Sequence, residues 1–375
     1  MTQMRVLFTQ QPLMSHFEVH LPLARALISA GHDVAFATSM QIPESFGVRC
    51  FAAGTSFSEI QTPGLIEELE SMAPRERARR VIADFFAGVF AERMAADLLD
   101  LARTWRPDLI IDELFEFGGS IAAERIGVPL VTEQNGVTLP GSDAASPRLN
   151  ALRMKHGLAP VADAAMRPQS TWIAPAPPEL AVPSAHCFRY EALESHATVA
   201  VAEFTGSGEE PLVVVTFGTT FGAGQDLLRA INDAVRDLPV RLIITLGPRD
   251  VADARHVTFA QNVRLTTYVP HGPLFARAAA VISHGGWATI LKALYHGLPM
   301  VLVPLGAEQH DNARTASRLG FAIPLEERRD AASIASAIQQ VLQADEHRSS
   351  AQWLRMSMLA QEPISNGVSL LQALL

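Results

Sequence analysis

The chain has 375 residues, 39 acidic against 30 basic side chains and a net charge of -9. Hydrophobic residues make up 48% and charged residues 18%, which excludes a disordered chain and leaves ample material for the cores of two domains. The acidic balance argues against nucleic acid as a main partner, and two cysteines, Cys50 and Cys187, are too few for a zinc cluster or a disulfide framework.

In chain order, Arg5–Thr9 reads as a first strand rather than a signal peptide. Leu21–Ala30 carries apolar residues at helical spacing and stops at Gly31, and Asp33–Thr38 reads as a second strand. This β-loop-α-β unit belongs to a parallel, doubly wound sheet. It recurs as a long helical stretch, Arg75–Arg103, a strand over 107–112, a helix over Gly119–Ile126 and a strand over 128–132. From about Ser142 to His196 the pattern weakens and Pro175, Pro177, Pro178 and Pro183 crowd together, so this stretch reads as irregular loop and short helix. Thr205–Pro211 looks like a linker. A second α/β series follows, with strands at Leu212–Phe217, Leu242–Leu246, Ala280–Ser283 and Met300–Val303. The expected architecture is α/β, two Rossmann-like domains facing a cleft, divided as 1–205 and 206–375, with the last helix returning to the first domain. No apolar run approaches the roughly 18 residues of a membrane span, and the composition suits a reducing cytoplasm.

The most informative stretch is Ser283-His284-Gly285-Gly286-Trp287-Ala288-Thr289, followed by Glu308-Gln309 and Asn312. A strand ends at Ser283 and two glycines open a helix, which aims backbone N–H groups and the positive helix end at an anion. His284 can donate to a phosphate oxygen, while Glu308, Gln309 and Asn312 suit sugar hydroxyls. In the first half, Met14-Ser15-His16-Phe17 follows the first strand, and Leu21-Pro22-Leu23-Ala24 and Gly31-His32-Asp33 follow it. An imidazole at His16 has the near-neutral basicity that a general base needs. Asp112, Glu113 and Glu116 are candidate carboxylates to orient it. Strand alternation allows only one of Asp112 and Glu113 to face the site. His16 and His20 lie one helical turn apart, but this is not a His-Glu-x-x-His motif, and no metal site is expected. Nor does any Asp-x-Asp occur.

The chain resembles the nucleotide-sugar glycosyltransferases of GT-B architecture, over nearly its whole length and most strongly in the second half. The Ser-His-Phe version of the first loop looks like the bacterial branch that decorates natural products such as antibiotics with deoxysugars. The resemblance implies an inverting, metal-independent enzyme that moves a sugar from a TDP-sugar, favoured over a UDP-sugar, to a hydroxyl or a carbon of an apolar aglycone. It implies that His16 is the base and that Glu113, favoured over Asp112, orients it. It assigns the diphosphate to His284, Gly285 and Gly286, and the donor sugar to Glu308 and Gln309. Val269, with Pro270 and His271, would lie against the base. Gly218 and Thr219 would face the phosphates, and Trp287 and Thr289 belong to the same donor run. No cofactor is implied beyond the nucleotide sugar, and a homodimer is left open. Two positions depart from the family. Ala288 stands where Gly or Asn is usual, and Lys292, one of only two lysines, stands where an acid holds the ribose. A lysine cannot accept from ribose hydroxyls, so Lys292 is expected to meet a phosphate or turn outward. Phe85, Phe86 and Phe90 read as core, with an acceptor-pocket lining as the alternative. A nucleotide-sugar epimerase, or a non-catalytic partner protein of the same fold, would share the two-domain plan.

Overall fold

The computed structural model describes residues 3–60, 63–138, 142–167, 169–192, 208–218, 222–267 and 269–375. Two compact units emerge: Met1–Glu191 together with Gln361–Leu375, and Ala192–Ala360.

The first unit is built on β1 (Arg5–Thr9), β2 (Asp33–Thr38), β3 (Arg49–Ala52), β4 (Leu109–Glu113), β5 (Leu130–Glu133), β6 (Thr171–Ala174) and β7 (His186–Cys187). All pair in parallel, in the order β3-β2-β1-β4-β5-β6-β7. β4 and β5 are buried along their whole length, as strands covered by helices on both faces must be. The first helix runs Met14–Ser29, seven residues earlier than its apolar spacing suggested, with Pro22 inside it. It buries Phe17, Leu21, Leu23, Ala24 and Leu27. The predicted long helix of 75–103 is three segments: Pro74–Arg80, a π-helical stretch Val81–Phe90 and Ala91–Thr104. The break is at Gly88, whose backbone leaves helical geometry (φ -102°, ψ -105°). Between 142 and 192 the structure is more regular than expected. Ser142–Lys155 is a helix despite Pro147, because Ala145, Leu149 and Leu152 form an apolar stripe at helical spacing. The chain end belongs to this unit: Arg189 N–H donates to the Glu362 carbonyl, and Gly367 packs against Leu23 and Phe188.

The second unit carries β8 (Leu212–Thr216), β9 (Arg241–Thr245), β10 (Val263–Thr266), β11 (Ala280–Ser283), β12 (Met300–Leu302) and β13 (Ala322–Pro324). These too are parallel, in the order β10-β9-β8-β11-β12-β13. One core cluster joins β8, β9 and β11 to the helices Gly224–Val235 and Ala331–Gln343. In each sheet the winding direction reverses once, between β1 and β4 and between β8 and β11. Ligands of doubly wound sheets bind beyond the carboxyl ends of the strands at that reversal. Among the described residues no helix is long and apolar enough to cross a membrane.

Candidate active site

In the first unit, the reversal point holds His16 and Glu113. His16 stands in the first turn of the helix that follows β1, and Glu113 is the last residue of β4. His16 Nδ1 lies 2.8 Å from Glu113 Oε1. The glutamate is buried, while the imidazole keeps 13% side-chain exposure. Burial pushes the Glu113 carboxyl up, but His16, the Phe115 N–H and His20 together outweigh it, so its pKa is lowered. Glu113 is therefore an anion that accepts the Nδ1 proton, which leaves Nε2 as the basic nitrogen. The carboxylate also accepts from the N–H groups of Phe115 (2.7 Å) and Gln11 (3.3 Å), so both oxygens are held.

The other two candidate carboxylates are engaged elsewhere. Asp112 turns to the opposite side and lies 2.8 Å from Arg167 Nε, both fully buried. Burial pushes Asp112 up to about 8, against the pull of Arg167. Glu116 accepts from the Thr9 hydroxyl (2.5 Å) and from the N–H groups of Gly118 and Gly119. Its burial outweighs these bonds and raises its pKa. His20 does not share a ligand with His16. It faces Glu133, at the end of β5, across 2.6 Å, in a pair with no solvent exposure. Among the described residues no group of three or more His, Cys, Asp and Glu is placed to hold a metal ion.

Aromatic rings run from His16 into the first unit. Phe115 lies 5.9 Å from the His16 ring, Phe86 lies 6.0 Å from Phe115, and Phe90 and Phe57 follow. Phe86 and Phe90 are buried and Phe85 is half-buried, so these side chains serve the core, and Phe86 also touches the Phe115 ring that faces His16. A small cavity of about 10 Å³ nearby is lined by Gln10, Gln11, Thr55, Phe90, Met94 and Glu116, among others.

In the second unit, β11 ends at Ser283, and Gly286 caps the helix Trp287–Tyr295. Gly285 takes φ +85°, a conformation that costs glycine little. The His284 ring fits between two glycines: a Cβ at Gly286 would stand 2.5 Å from its Nε2, and one at Gly218 would stand 3.0 Å from its Cε1. Burial takes His284 down to about 4, with a bond to the Thr216 backbone opposing the shift. At neutral pH it is thus an uncharged hydrogen-bonding group. Trp287 is buried, and its indole N–H has no hydrogen-bond partner among the described residues. Thr289 is also buried, and its N–H donates to the Gly286 carbonyl.

The run after β12 is partly turned inward. Gln309 Oε1 accepts from the N–H groups of Leu305 (2.7 Å) and Gly306 (3.0 Å), so that oxygen shapes its own loop. Asn312 Nδ2 donates to the Gly285 carbonyl across 2.9 Å and ties this helix to the glycine turn. Half-buried Glu308 caps the helix Gln309–Arg318, its carbonyl accepting from Asp311 and Asn312. Val269 is buried. Thr219 lies outside the described residues. Lys292 is half-buried, and its charge bears on His271. Burial takes His271 down to about 3, with help from Lys292 and His284. Arg167 was not foreseen among the site's supports; a single arginine before proline in an irregular stretch carries no motif.

Comparison with known proteins supplies the family. Residues 25–186 match the erythromycin biosynthesis protein CIII-like N-terminal domain, and residues 229–374 match the corresponding C-terminal domain. The chain is 27% identical over 362 residues to the aclacinomycin-T 2-deoxy-L-fucose transferase of Streptomyces galilaeus, covering 80% of this chain and 79% of that one. It is 28% identical over 365 residues to the L-demethylnoviosyl transferase of Streptomyces niveus, covering 92% and 91%. Its fold matches that of the glycosyltransferase SsfS6 of Streptomyces sp. SF2575, complexed with thymidine diphosphate, with a TM-score of 0.79, 21% identity and coverage of 99% and 100%. Two parallel Rossmann-like sheets and both halves of one family signature lead to a single assignment: the chain is a GT-B glycosyltransferase of the erythromycin biosynthesis protein CIII-like family, in the bacterial natural-product branch.

Proposed function

We propose that this glycosyltransferase works by inversion and without a metal ion, moving a sugar from a nucleoside diphosphate to a hydroxyl of a natural-product aglycone. The acceptor is held by the N-terminal domain, expected over 1–205, and the donor by the C-terminal one, expected over 206–375, with the last helix packing on the first unit. The observation that carries this reading is the His16–Glu113 pair at the carboxyl ends of β1 and β4. With Nδ1 held by an anionic carboxylate, Nε2 takes the proton of the acceptor hydroxyl as its oxygen attacks the anomeric carbon. The bond from that carbon to the diphosphate oxygen breaks, and the electron pair leaves with the nucleoside diphosphate. Glu113 stabilises the imidazolium that forms. The glycine turn and helix start at Gly285, Gly286 and Trp287, with His284, Thr289, Gly218 and Thr219, hold the departing diphosphate. Glu308 and Gln309 hold the donor sugar, the latter through its amide nitrogen, and Val269 lies against the base. Thymidine diphosphate is preferred over uridine diphosphate; the SsfS6 complex supports this. The aromatic rings that lead away from His16 suit an apolar acceptor.

The test mixes TDP- and UDP-sugars with candidate aglycones, in buffer with a chelator, and follows glycosylated product by mass. His16→Ala should lower kcat/KM by about 10²–10⁴-fold, the usual contribution of a general base. Turnover at the wild-type rate would remove His16 from the chemistry. Consumption of donor with no acceptor present would favour epimerisation instead.

A further inference from the structure

Arg167 lies far from the motifs, yet its side chain touches almost every residue of the loop that carries Glu113. It is fully buried and sits just after the short helix Ala164–Met166 with φ +47°. Its Nη2 donates to the Glu113 carbonyl (3.1 Å) and to the Glu116 carbonyl. Its Nη1 donates to the carbonyls of Leu114 (3.2 Å) and Ala165 (3.3 Å). Its Nε faces Asp112 at 2.8 Å, and the guanidinium lies 4.6 Å over the Phe117 ring. Five of the six residues from Asp112 to Phe117 are thus held by one side chain. The sixth, Phe115, gives its N–H to Glu113 Oε2 and its ring to His16.

A loop with three inward carbonyls needs donors for them, because buried carbonyls without partners are costly. A guanidinium supplies five N–H donors in one plane, which a lysine ammonium cannot imitate. The Asp112 carboxyl lies against its Nε and the Phe117 ring face takes the remaining side. Because β4 ends at Glu113, the direction of the Glu113 carboxylate depends on how the chain turns over the next three residues.

We propose that Arg167 is the positioning residue of the dyad: by clamping the carbonyls of Glu113, Leu114 and Glu116 it sets the turn that presents the Glu113 carboxylate to His16. The inference rests on the reading of Glu113 as the partner that orients His16. It adds a residue from the segment before β6 to the machinery at the ends of β1 and β4.

The test uses Arg167→Lys in the full chain, which keeps a cation for Asp112 but removes the fork. Should that variant fail to fold, Arg167→Gln is the second, since Asp112, already pushed up to about 8 by burial, stays protonated when the cation is removed. Nitrogen-15 NMR of labelled histidines reads the His16 tautomer, with His16→Ala assigning the signal. The wild type should show Nδ1–H as the single neutral form. The variant should show a mixture, with kcat at least 10-fold lower and KM for both substrates within about 3-fold. A variant that is less stable but keeps the wild-type tautomer and kcat would overturn the proposal. So would loss of the fold in both variants, since Arg167 would then be purely structural. The tautomer is read without turnover. If His16→Ala proves fully active, the functional reading fails while the Arg167 clamp is still decided by NMR.

Discussion

At the scale of single residues, the dyad depends on a carboxylate with two acceptor oxygens. Glu113 Oε1 serves His16 and Gln11, and Oε2 serves the Phe115 N–H. Glu113→Gln keeps the size but has only one acceptor, so its NH₂ must meet either the Phe115 N–H or the His16 Nδ1–H. Donor would face donor, and the neutral amide could not stabilise an imidazolium. The expected result is a fall in kcat/KM of about 100-fold or more, with donor affinity unchanged by calorimetry. A variant within 3-fold of wild type would show that Glu113 only fills space. From sequence, alternation along β4 said that Asp112 and Glu113 point apart but not which faces the site. The choice falls to Arg167, which draws Asp112 to the far side, and no local pattern announces a partner 55 positions away in an irregular stretch.

At the scale of elements, the glycine turn after β11 is a fitted seat for one ring. A methyl at Gly286 would stand 2.5 Å from His284 Nε2 and 3.0 Å from Cε1, so the ring must move. Gly286→Ala keeps backbone torsions that alanine accepts (φ -64°, ψ 141°), so the fold should survive. Affinity for thymidine diphosphate should fall by at least 10-fold, roughly 1.4 kcal/mol, in titration calorimetry. Unchanged binding would separate His284 from the diphosphate. The elements themselves were largely legible. β1 and β2 have the limits that their apolar runs suggested, and the glycines mark the start of the helix Trp287–Tyr295. Legibility failed where a rule had to be overridden. Pro22 lies inside the first helix, which extends seven residues ahead of the expected start. Pro147 lies in a mostly polar helix whose narrow stripe is only Ala145, Leu149 and Leu152. In the donor run the residue types were readable but their partners were not. Gln309 and Asn312 looked like sugar ligands, yet part of each holds the protein's own backbone.

At the scale of the whole molecule, the two units bury ionisable groups of opposite kind, and their stabilities should respond oppositely to pH. The first unit buries Asp112, Glu116 and Glu133, all raised mainly by desolvation, Asp112 to about 8. A carboxyl raised in the folded state contributes most in acid, and that contribution is lost as pH rises through the folded value. The second unit buries His271, lowered to about 3, and His284, lowered to about 4. These imidazoles stay neutral in the fold but take protons once unfolded. Their contribution is complete above about 6.5 and is lost as pH falls toward the folded values, by roughly 2 kcal/mol each at pH 5. Glu113, lowered in the fold, works in the same direction as the histidines, but only below the ordinary carboxylate range. His32 and His156 in the first unit and Asp250 in the second shift the other way, by less. Scanning calorimetry from pH 8 to pH 5 should therefore show the transition of the second unit falling by roughly 10 °C while that of the first holds or rises. Thymidine diphosphate should raise only the transition of the proposed donor-binding unit, which would assign the two. Parallel falls in both transitions would mean that these groups do not govern stability. Loss of the acid fall in the second transition of His284→Gln would trace the effect to the residue at the glycine turn, and so connect the acid limit of the fold to the group proposed to meet the diphosphate.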